Sequence, residues 1–416
     1  MFLTQLKIAY RSVLRNRRKT LVTFLAVCFG TASIIIAGGF FNYMFYALHA
    51  AAVYGQYGHI QVYAHGFMEK GVVSPFSYMI EDFNEFNLRY SKLPHVRFIM
   101  PRTQFSGLIS NGDTTGSFIG LGVDTAKEGE MSSFSIGSGP AIRITSGRYL
   151  KEGDKNVIII GKGLSAAIGA KAGERVTLLT NTESGSINGV TVEVAGIFES
   201  FQKEFDDRAI QMPIETTQNL LRIGNKFQTA VFLVEDSFYV DSTVNLLNET
   251  FLNNGEQYEI RTWESLAIFH NASVALFSRI FLVINIVIAI IVVLGIANSI
   301  SMSIFERTRE IGTIMAIGTK PNQVVMQYLL EGIIIGVFGG IAGIVVGVIV
   351  AKIASIFGIQ MPPPPGATRP WVAKVTPPLL IYIRAFATVS LAGAIASLYP
   401  AIRASRLRIV DALRQT

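Results

Sequence analysis

Four long apolar runs constrain this chain of 416 residues more than any other feature of its sequence. A helix needs about 20 mostly apolar residues to cross the hydrocarbon core of a bilayer. The runs reach that length and lie near residues 21–48, 280–302, 329–357 and 378–402. Hydrophobic residues make up 50% of the chain and charged residues 16%, whereas soluble domains are about one quarter charged. The pattern predicts an α-helical membrane protein with four transmembrane helices.

Charge is distributed unevenly along the chain. Residues 50–277 contain 18 Lys and Arg against 25 Asp and Glu, and the remainder contains 18 basic and 4 acidic residues. The net charge of +7 therefore arises beside the apolar runs and indicates no nucleic-acid partner, since such binders concentrate basic residues on a folded domain. Because Lys and Arg in short loops stay in the cytoplasm, both termini are expected there and the long segment outside.

These rules divide the chain into nine predicted segments. They are a basic cytoplasmic arm (1–20), transmembrane helix 1 (21–48), an external domain (49–277), helix 2 (278–302), a cytoplasmic loop (303–328), helix 3 (329–357), a Pro-rich external loop (358–377), helix 4 (378–402) and a cytoplasmic tail (403–416).

The external segment alternates strand-like and helix-like stretches, which predicts an α+β domain, with two subdomains expected. The strand candidates are His59–Tyr63, Ser117–Val123, Asn156–Ile160, Arg175–Leu179, Thr191–Ile197 and Ala230–Val234. The helix candidates are Ile80–Leu93, Gly163–Ile168, Ile214–Arg222 and Asp241–Leu252. A Gly/Asn/Ser-rich turn between Arg175–Leu179 and Val190–Ala195 predicts a β-hairpin.

Catalytic chemistry is not indicated anywhere in the chain. The five histidines follow no metal-ligand spacing, and no Walker A string occurs, so we expect no catalytic residue, metal or cofactor and no ATP hydrolysis by this chain alone. The acidic cluster Glu204, Asp206 and Asp207 suits a solvated loop before a strand better than a cation site. The single cysteine, Cys28, forms no internal disulfide and is expected to serve packing.

Two groups of residues in the apolar runs can each be interpreted in two ways. Small residues at four-residue spacing let helices approach closely, either within one chain or at a dimer or substrate-path seam. The helix-packing candidates are Gly332, Gly336, Gly340, Gly343 and Gly347. An aromatic and sulfur-rich group of side chains is explained either by ordinary lipid contact or by a substrate cavity. The cavity candidates are Phe40, Phe41, Met44, Phe45, Phe277 and Phe281.

The predicted cytoplasmic loop carries a short charged helix followed by apolar residues, and Lys320-Pro321-Asn322 then turns the chain back. Such an amphipathic helix suits docking into a groove of another protein, although an interfacial loop explains the pattern too. The candidates for coupling to a partner are Phe305, Glu306, Arg307, Arg309, Glu310, Ile311 and Met315. Glu331 lies at the inner end of helix 3, where it should face protein or snorkel.

Three strings carry a family resemblance: the loop NSISMSIFERTREIGTIMAIGTKPNQVVMQYLLEG, the arm AYRSVLRNRRKT and the ending SLYPAIRASRLRIVDALR. They resemble permeases of the FtsX/MacB superfamily of ABC transporters. GHIQVYAHGF and FDDRAIQMPIETTQNLL resemble the lipoprotein-releasing, LolC/LolE-like type within it. The resemblance implies a periplasmic domain between helices 1 and 2, made of a discontinuous MacB-like porter subdomain and an inserted β-rich one. It also implies that Phe305–Met315 is a coupling helix.

The same resemblance implies a type VII, mechanotransmission transporter in a Gram-negative inner membrane. Two copies of a separate ATPase would hold ATP and Mg, and a second permease copy or paralogue would complete the complex. A periplasmic carrier or adaptor and membrane lipids are further expected partners. The leading function is extraction of a lipoprotein or other amphiphile from the outer leaflet; the alternatives are a MacB-like exporter or an FtsX-like regulator of a cell-wall hydrolase.

One departure from the LolC type concerns the predicted hairpin. Its tip, residues 181–189, is short and polar, whereas the LolC-type hairpin carries a long apolar hook for a carrier protein. A carrier docked through this hairpin is therefore not expected. The run Pro362–Pro365 is typical of a stiff polyproline segment, either a cap on helix 3 or a docking strip.

Overall fold

The computed structural model describes residues 2–15, 17–71, 73–135, 139–363, 370–408 and 412. The chain forms two compact units, each treated by itself. Unit 1 comprises residues 1–45, 274–359 and 373–416, and unit 2 comprises residues 46–273 and 360–372. Part of the predicted proline run, Pro364 and Pro365, lies outside the described residues.

The α-helices of the described chain are numbered along the sequence. They are α1 (Phe2–Arg15), α2 (Arg17–Ala52), α3 (Phe83–Tyr90), α4 (Thr125–Ser132), α5 (Lys162–Ile168), α6 (Lys203–Asp206), α7 (Ile214–Leu221), α8 (Val240–Asn254), α9 (Trp263–Leu266), α10 (Ile268–Glu306), α11 (Thr308–Ala316), α12 (Pro321–Phe357) and α13 (Leu379–Ser405). A π-helical turn, Val53–Tyr57, follows α2 directly.

The strands of the described chain are numbered in the same way. They are β1 (Ile60–Ala64), β2 (Val96–Ser110), β3 (Thr115–Val123), β4 (Arg143–Gly147), β5 (Val157–Gly161), β6 (Arg175–Asn181), β7 (Ile187–Glu199), β8 (Ala209–Pro213), β9 (Thr229–Val234), β10 (Tyr258–Thr262), β11 (Ile359–Met361) and β12 (Trp371–Ala373). The last two pair only with each other in a small separate sheet.

Unit 1 is helical, and four helices in the described chain are long and apolar enough to cross a membrane. They are α2 with its π-helical extension, α10, α12 and α13. The prediction of four transmembrane helices, with an α+β domain inserted between the first two of them, is confirmed. The helices extend beyond the predicted runs because backbone hydrogen bonding continues into the polar flanks.

Helix α12 packs against two neighbours through glycines on two sides. Gly332 faces Gly393 of α13 so closely that a Cβ on Gly332 would lie 2.5 Å from that residue's carbonyl oxygen. Gly343 faces α2, where a Cβ would lie 2.6 Å from the carbonyl oxygen of Cys28. Gly336 and Gly340 lie on the α13 side and Gly347 on the α2 side. The five predicted packing glycines thus serve contacts within this chain, on two faces of the helix and not on one.

Unit 2 is built on one ten-stranded sheet. Strands β2, β3, β8, β5, β7 and β6 pair in that order, and β6 pairs back with β2, so these six strands close a ring. The amino-terminal half of β2 instead pairs with β9, which continues the sheet through β1 to β10. Strand β2 has 15 residues and so belongs to both parts: Val96–Arg102 pair with β9, and Arg102–Ser110 pair with β3.

Two large hydrophobic cores lie along this shared sheet, with smaller clusters beside them. One fills the ring and includes Phe118, Ile160 and Met212. The other lies between the β9–β1–β10 part and helices α3 and α8, and includes Phe86 and Phe232. The ring is formed by residues 102–213, inserted between the chain segments of the second part, which agrees with the expected porter and inserted β-rich subdomains.

The predicted hairpin is confirmed: β6 and β7 pair antiparallel from Arg175–Glu193 to Asn181–Ile187. Strands β2, β4, β8 and β10 of the ten-stranded sheet were missed by the sequence pattern. The acidic cluster prediction is wrong for Asp206, which lies in helix α6 and is buried. Its two carboxylate oxygens accept the backbone N–H of Ser200 at 2.9 and 3.1 Å.

Candidate functional site

A cluster of aromatic rings joins α2 to α10 within unit 1. The ring of Phe41 lies 5.3 Å from that of Phe281 and 6.3 Å from that of Phe277, centre to centre. On its own helix, Phe41 also contacts Phe40 at 5.7 Å and Phe45 at 6.3 Å. We call these five residues the aromatic seam. Pairs at such distances are stabilising beyond the area they bury.

The aromatic seam is filled by its own side chains. Phe41 is only 8% exposed, and the sixth predicted cavity residue, Met44, is buried beside it on α2. Gly38 leaves room for this packing, since a Cβ there would lie 2.8 Å from side-chain atoms of Ile381 and 3.2 Å from the Phe281 ring. The structure therefore brings most of the predicted cavity residues together, as a closed apolar contact between helices.

The predicted coupling segment has a break inside it. Helix α10 runs through Phe305 and Glu306, Arg307 leaves the helical conformation, and α11 starts at Thr308. The sequence had placed one helix over Phe305–Met315. Arg307 and Ile311 are buried, so their side chains are not on the surface of unit 1. This corrects their prediction as partner-contacting residues.

A mixed apolar and charged surface remains on the outside of this segment. Phe305 is 62% exposed and Ile317 is 82% exposed, and Ile314 and Arg309 are exposed as well. We call these four residues the coupling face. Ile314 lies inside the predicted coupling helix Phe305–Met315, but sequence reasoning did not select Ile317; an isoleucine at a helix end before a Gly-Thr-Lys turn was the available signal.

Several other parts of unit 1 contact the coupling segment. Nη2 of Arg15 on α1 donates to both carboxylate oxygens of Glu310, at 2.8 and 3.0 Å. Lys19 at the start of α2 pairs with Glu306. Gly312 lies against Ala412, and a Cβ on Gly312 would lie 2.7 Å from the Ala412 Cβ. The segment is thus contacted by α1, by the start of α2 and by Ala412 near the other end of the chain.

Glu331 faces protein, which is one of the two alternatives that the sequence left open. Its side chain is 4% exposed, and its carboxylate accepts a hydrogen bond from the hydroxyl of Ser12 at 3.1 Å. The same hydroxyl accepts from the guanidinium of Arg307. These three residues come from α1, the α10–α11 junction and α12, so no local sequence pattern could have shown that they contact one another.

Unit 2 contains a buried ion pair beside the π-helical turn that follows α2. Nε and Nη2 of Arg102 donate to the two oxygens of Glu128 at 2.9 and 2.6 Å. A third guanidinium nitrogen donates to the backbone carbonyl oxygen of Gln56. Because Arg102 lies on β2 and Glu128 on α4, the pair fastens this turn to both elements.

Histidines also meet in unit 2. The Ser237 hydroxyl lies 3.0 Å from Nε2 of His49 and 3.2 Å from Nε2 of His59. The ring of Trp263 contacts His49 at 4.5 Å and His270 at 5.0 Å. Among the described residues, no group of three or more His, Cys, Asp or Glu side chains could hold a metal ion.

Comparison with known families decides the relationship. Residues 20–249 match the MacB-like periplasmic core domain family, which is more than half of the chain. The chain belongs to this family. Residues 282–409 match the FtsX-like permease C-terminal family, which covers α11, α12 and α13. The membrane helices and the inserted domain together are those of an ABC transporter permease of the FtsX/MacB superfamily.

Individual relatives are distant. The macrolide export ATP-binding/permease protein MacB 2 of Aeromonas hydrophila subsp. hydrophila is 23% identical over 73% of this chain and 44% of its own length. The uncharacterized ABC transporter permease YvrN of Bacillus subtilis (strain 168) is 28% identical over 66% of each chain. The MacB-like chain described here therefore spans less than half of the Aeromonas relative.

Among solved structures, half of the chain shows a low similarity to the periplasmic region of MacB from Actinobacillus actinomycetemcomitans. That match has a TM-score of 0.36 and 14% identity, over 50% of this chain and 89% of the other. The extracellular domain of the transporter YknZ from Gram-positive bacteria matches with a TM-score of 0.35 and 15% identity, over 49% and 99%. The family assignment rests on the sequence matches.

Proposed function

We propose that this MacB-like chain is the permease of a mechanotransmission ABC transporter that lifts an amphiphile out of the outer leaflet of a Gram-negative inner membrane. A partner ATPase supplies the work, and two copies of it bind ATP and Mg. Two permease copies, identical or paralogous, complete the complex. A lipoprotein is the leading substrate, and it would be passed to a periplasmic acceptor.

The observation that carries this proposal is the aromatic seam. Five aromatic residues meet near the ends of α2 and α10 that lead into unit 2. Burying an acyl chain gains roughly 0.8 kcal/mol for each CH₂, so a site for acyl chains needs large apolar side chains. Separating Phe41 from Phe281 would expose such a surface between two helices, where a membrane-anchored molecule can enter sideways.

The coupling face supports the role of the partner ATPase. Phe305, Ile314 and Ile317 project apolar side chains beside Arg309 on the side of unit 1 formed by the α10–α12 connection. Phe305 lies near the end of α10, Ile314 lies on α11 and Ile317 directly follows it. Exposed apolar residues on and beside a short helix suit insertion into a groove of another protein. We infer that α11 is the coupling helix and that Ile314 and Ile317 are its anchors.

The test uses the full chain, affinity-purified in mild detergent without ATP, with mass spectrometry of bound proteins and lipids. The wild type should retain an ABC ATPase and an acylated protein. Phe281→Ala should lose the acylated protein and keep the ATPase. Ile317→Asp should lose the ATPase. Phe357→Ala is the matched control, since this exposed aromatic lies on α12 outside the aromatic seam.

A MacB-like exporter is the second candidate, favoured by the macrolide-export relatives. It predicts a co-purifying adaptor protein and small apolar molecules instead of an acylated protein. Retention of an acylated protein by Phe281→Ala at the wild-type amount would contradict the role of the aromatic seam. Purification with no ATPase would contradict the transporter proposal.

A further inference from the structure

Helix α1 contributes a hydroxyl to a buried charge network. Ser12, Arg307 and Glu331 are 5%, 8% and 4% exposed. The Ser12 hydroxyl donates to Oε2 of Glu331 at 3.1 Å and accepts from Nη1 of Arg307. Nη2 of Arg307 also lies 3.4 Å from the backbone carbonyl oxygen of Ser12. One hydroxyl therefore joins a guanidinium to a carboxylate.

The chemistry of this bridge is specific. A carboxylate only accepts and a guanidinium only donates, whereas a hydroxyl does both and so fits between them. A charged group inside a membrane helix is costly unless it is paired and hydrogen-bonded. Glu331 on α12 is therefore held towards the α10–α11 junction, and α1 supplies the connecting group.

Apolar packing beside Ser12, Arg307 and Glu331 restricts the movement of the bridge. Ala9 on α1 packs with Leu330 and Ile334 on α12, directly beside Ser12 and Glu331. Ile311 on α11 is buried in the main apolar cluster of unit 1. The outer pair between Arg15 and Glu310 is 61% exposed on both sides, and exposed ion pairs contribute little to stability.

We propose that Ser12 and Glu331 are positioning residues that fasten the coupling segment to α12. Through this bridge, force applied to α11 reaches α12 directly and is not lost in bending of the α10–α12 connection. The arm α1 is then a working part of the coupling machinery. The source of the force rests on the proposed function; the fastening itself does not.

The fastening is tested on the full chain alone. In a Cys28→Ala background, cysteines at Thr313 on α11 and Ile349 on α12, both exposed, carry spin labels. Labelled protein is diluted with unlabelled protein, so that the distance measured by pulsed electron paramagnetic resonance is intramolecular. The fastened segment gives one narrow distance peak. Ser12→Ala and Glu331→Gln should each lose that peak and give a broad distribution.

Two variants separate the bridge from general damage. Ser12→Thr keeps a hydroxyl and should keep the narrow peak. Ser405→Ala removes another buried serine, whose hydroxyl bonds only within its own helix at 2.9 Å to the Ile402 carbonyl, and should also keep it. Narrow peaks in both Ser12→Ala and Glu331→Gln would overturn the inference.

The ATPase complex gives the second readout. Ser12→Ala should retain the partner and its ATP hydrolysis but lose ATP-driven release of the molecules that co-purify with the wild type. Loss of the ATPase itself from Ser12→Ala would make Ser12 a docking residue and overturn the positioning role. If the wild type binds no ATPase, the proposed function fails while the distance measurement still decides the fastening.

Discussion

Nδ1 of His59 accepts a hydrogen bond from the backbone N–H of Val234 at 3.3 Å. This contact places the imidazole proton on Nε2, because a nitrogen that accepts carries no proton. Nε2–H then donates to the Ser237 hydroxyl, which also lies 3.0 Å from Nε2 of His49. A single backbone amide thus fixes the neutral tautomer of His59 and the direction of its hydrogen bond to Ser237.

The first prediction concerns pH. Burial, with the nearby His49, lowers the pKa of His59 from 6.5 to about 4, although Asp236 acts in the opposite direction. The unfolded chain takes up a proton near pH 6.5 and the folded chain does not until about pH 4, so stability should fall as the pH falls through this window. Above it, His59 should make no pH-dependent contribution.

Thermal unfolding of the full chain, followed by tryptophan fluorescence, measures this effect. Trp263 contacts both His49 and His270, so its emission reports on the cluster. His59→Gln should reduce the loss of stability between pH 6.5 and 4. His65→Gln, at an exposed position, should behave like the wild type. Equal pH dependence in wild type and His59→Gln would refute the prediction.

The buried pair in unit 2 gives the second prediction. Glu128 is 1% exposed, so Glu128→Gln leaves the Arg102 guanidinium buried without its counter-charge. Removing one partner of a buried pair costs about 3 to 5 kcal/mol. Glu130→Gln breaks an exposed pair with Arg97 and should cost less than about 1 kcal/mol. Denaturant unfolding of both variants measures the difference, and similar losses would contradict it.

The third prediction tests close helix packing. Gly343→Val should lower the melting temperature of the full chain in detergent, because its Cβ would lie 2.6 Å from the Cys28 carbonyl oxygen and also strike Thr31. Gly295→Ala on α10 is the control, since its Cβ meets no atom within 4 Å. An alanine there should stabilise the helix by roughly 0.5 to 1 kcal/mol. A destabilised Gly295→Ala together with an unchanged Gly343→Val would be inconsistent with the packing.

Asp206 gives the fourth prediction. Both of its carboxylate oxygens accept a hydrogen bond from the Ser200 N–H. Asp206→Asn replaces one of these two acceptors with an NH₂ group, which only donates. A buried polar group left without its partner costs about 1 to 3 kcal/mol. Glu204→Gln, exposed two residues earlier, should have no measurable effect. The two variants are compared by thermal unfolding; a stable Asp206→Asn would exclude this role.

The sequence by itself determined the four membrane helices and the hairpin, and it limited Glu331 to two alternatives, facing protein or snorkelling. These follow from local rules: apolar length, a turn between alternating strands, and the cost of a charge in lipid. The aromatic residues and the glycines of α12 were also recognisable, because regular spacing places them on helix faces.

The tertiary structure decided which of these residues meet. The pattern placed Arg307 and Ile311 on a docking helix, but both are buried. The helix breaks at Arg307, whose guanidinium reaches the buried Ser12–Glu331 pair, and Ile311 packs into the main apolar cluster of unit 1. Closure of the six-stranded ring depends on β6 returning to β2 across about 70 residues, which no local pattern records. Ser12, Arg307 and Glu331 are far apart in sequence. Only folding places the Ser12 hydroxyl between the two buried charged groups, where it accepts a hydrogen bond from Arg307 and donates one to Glu331.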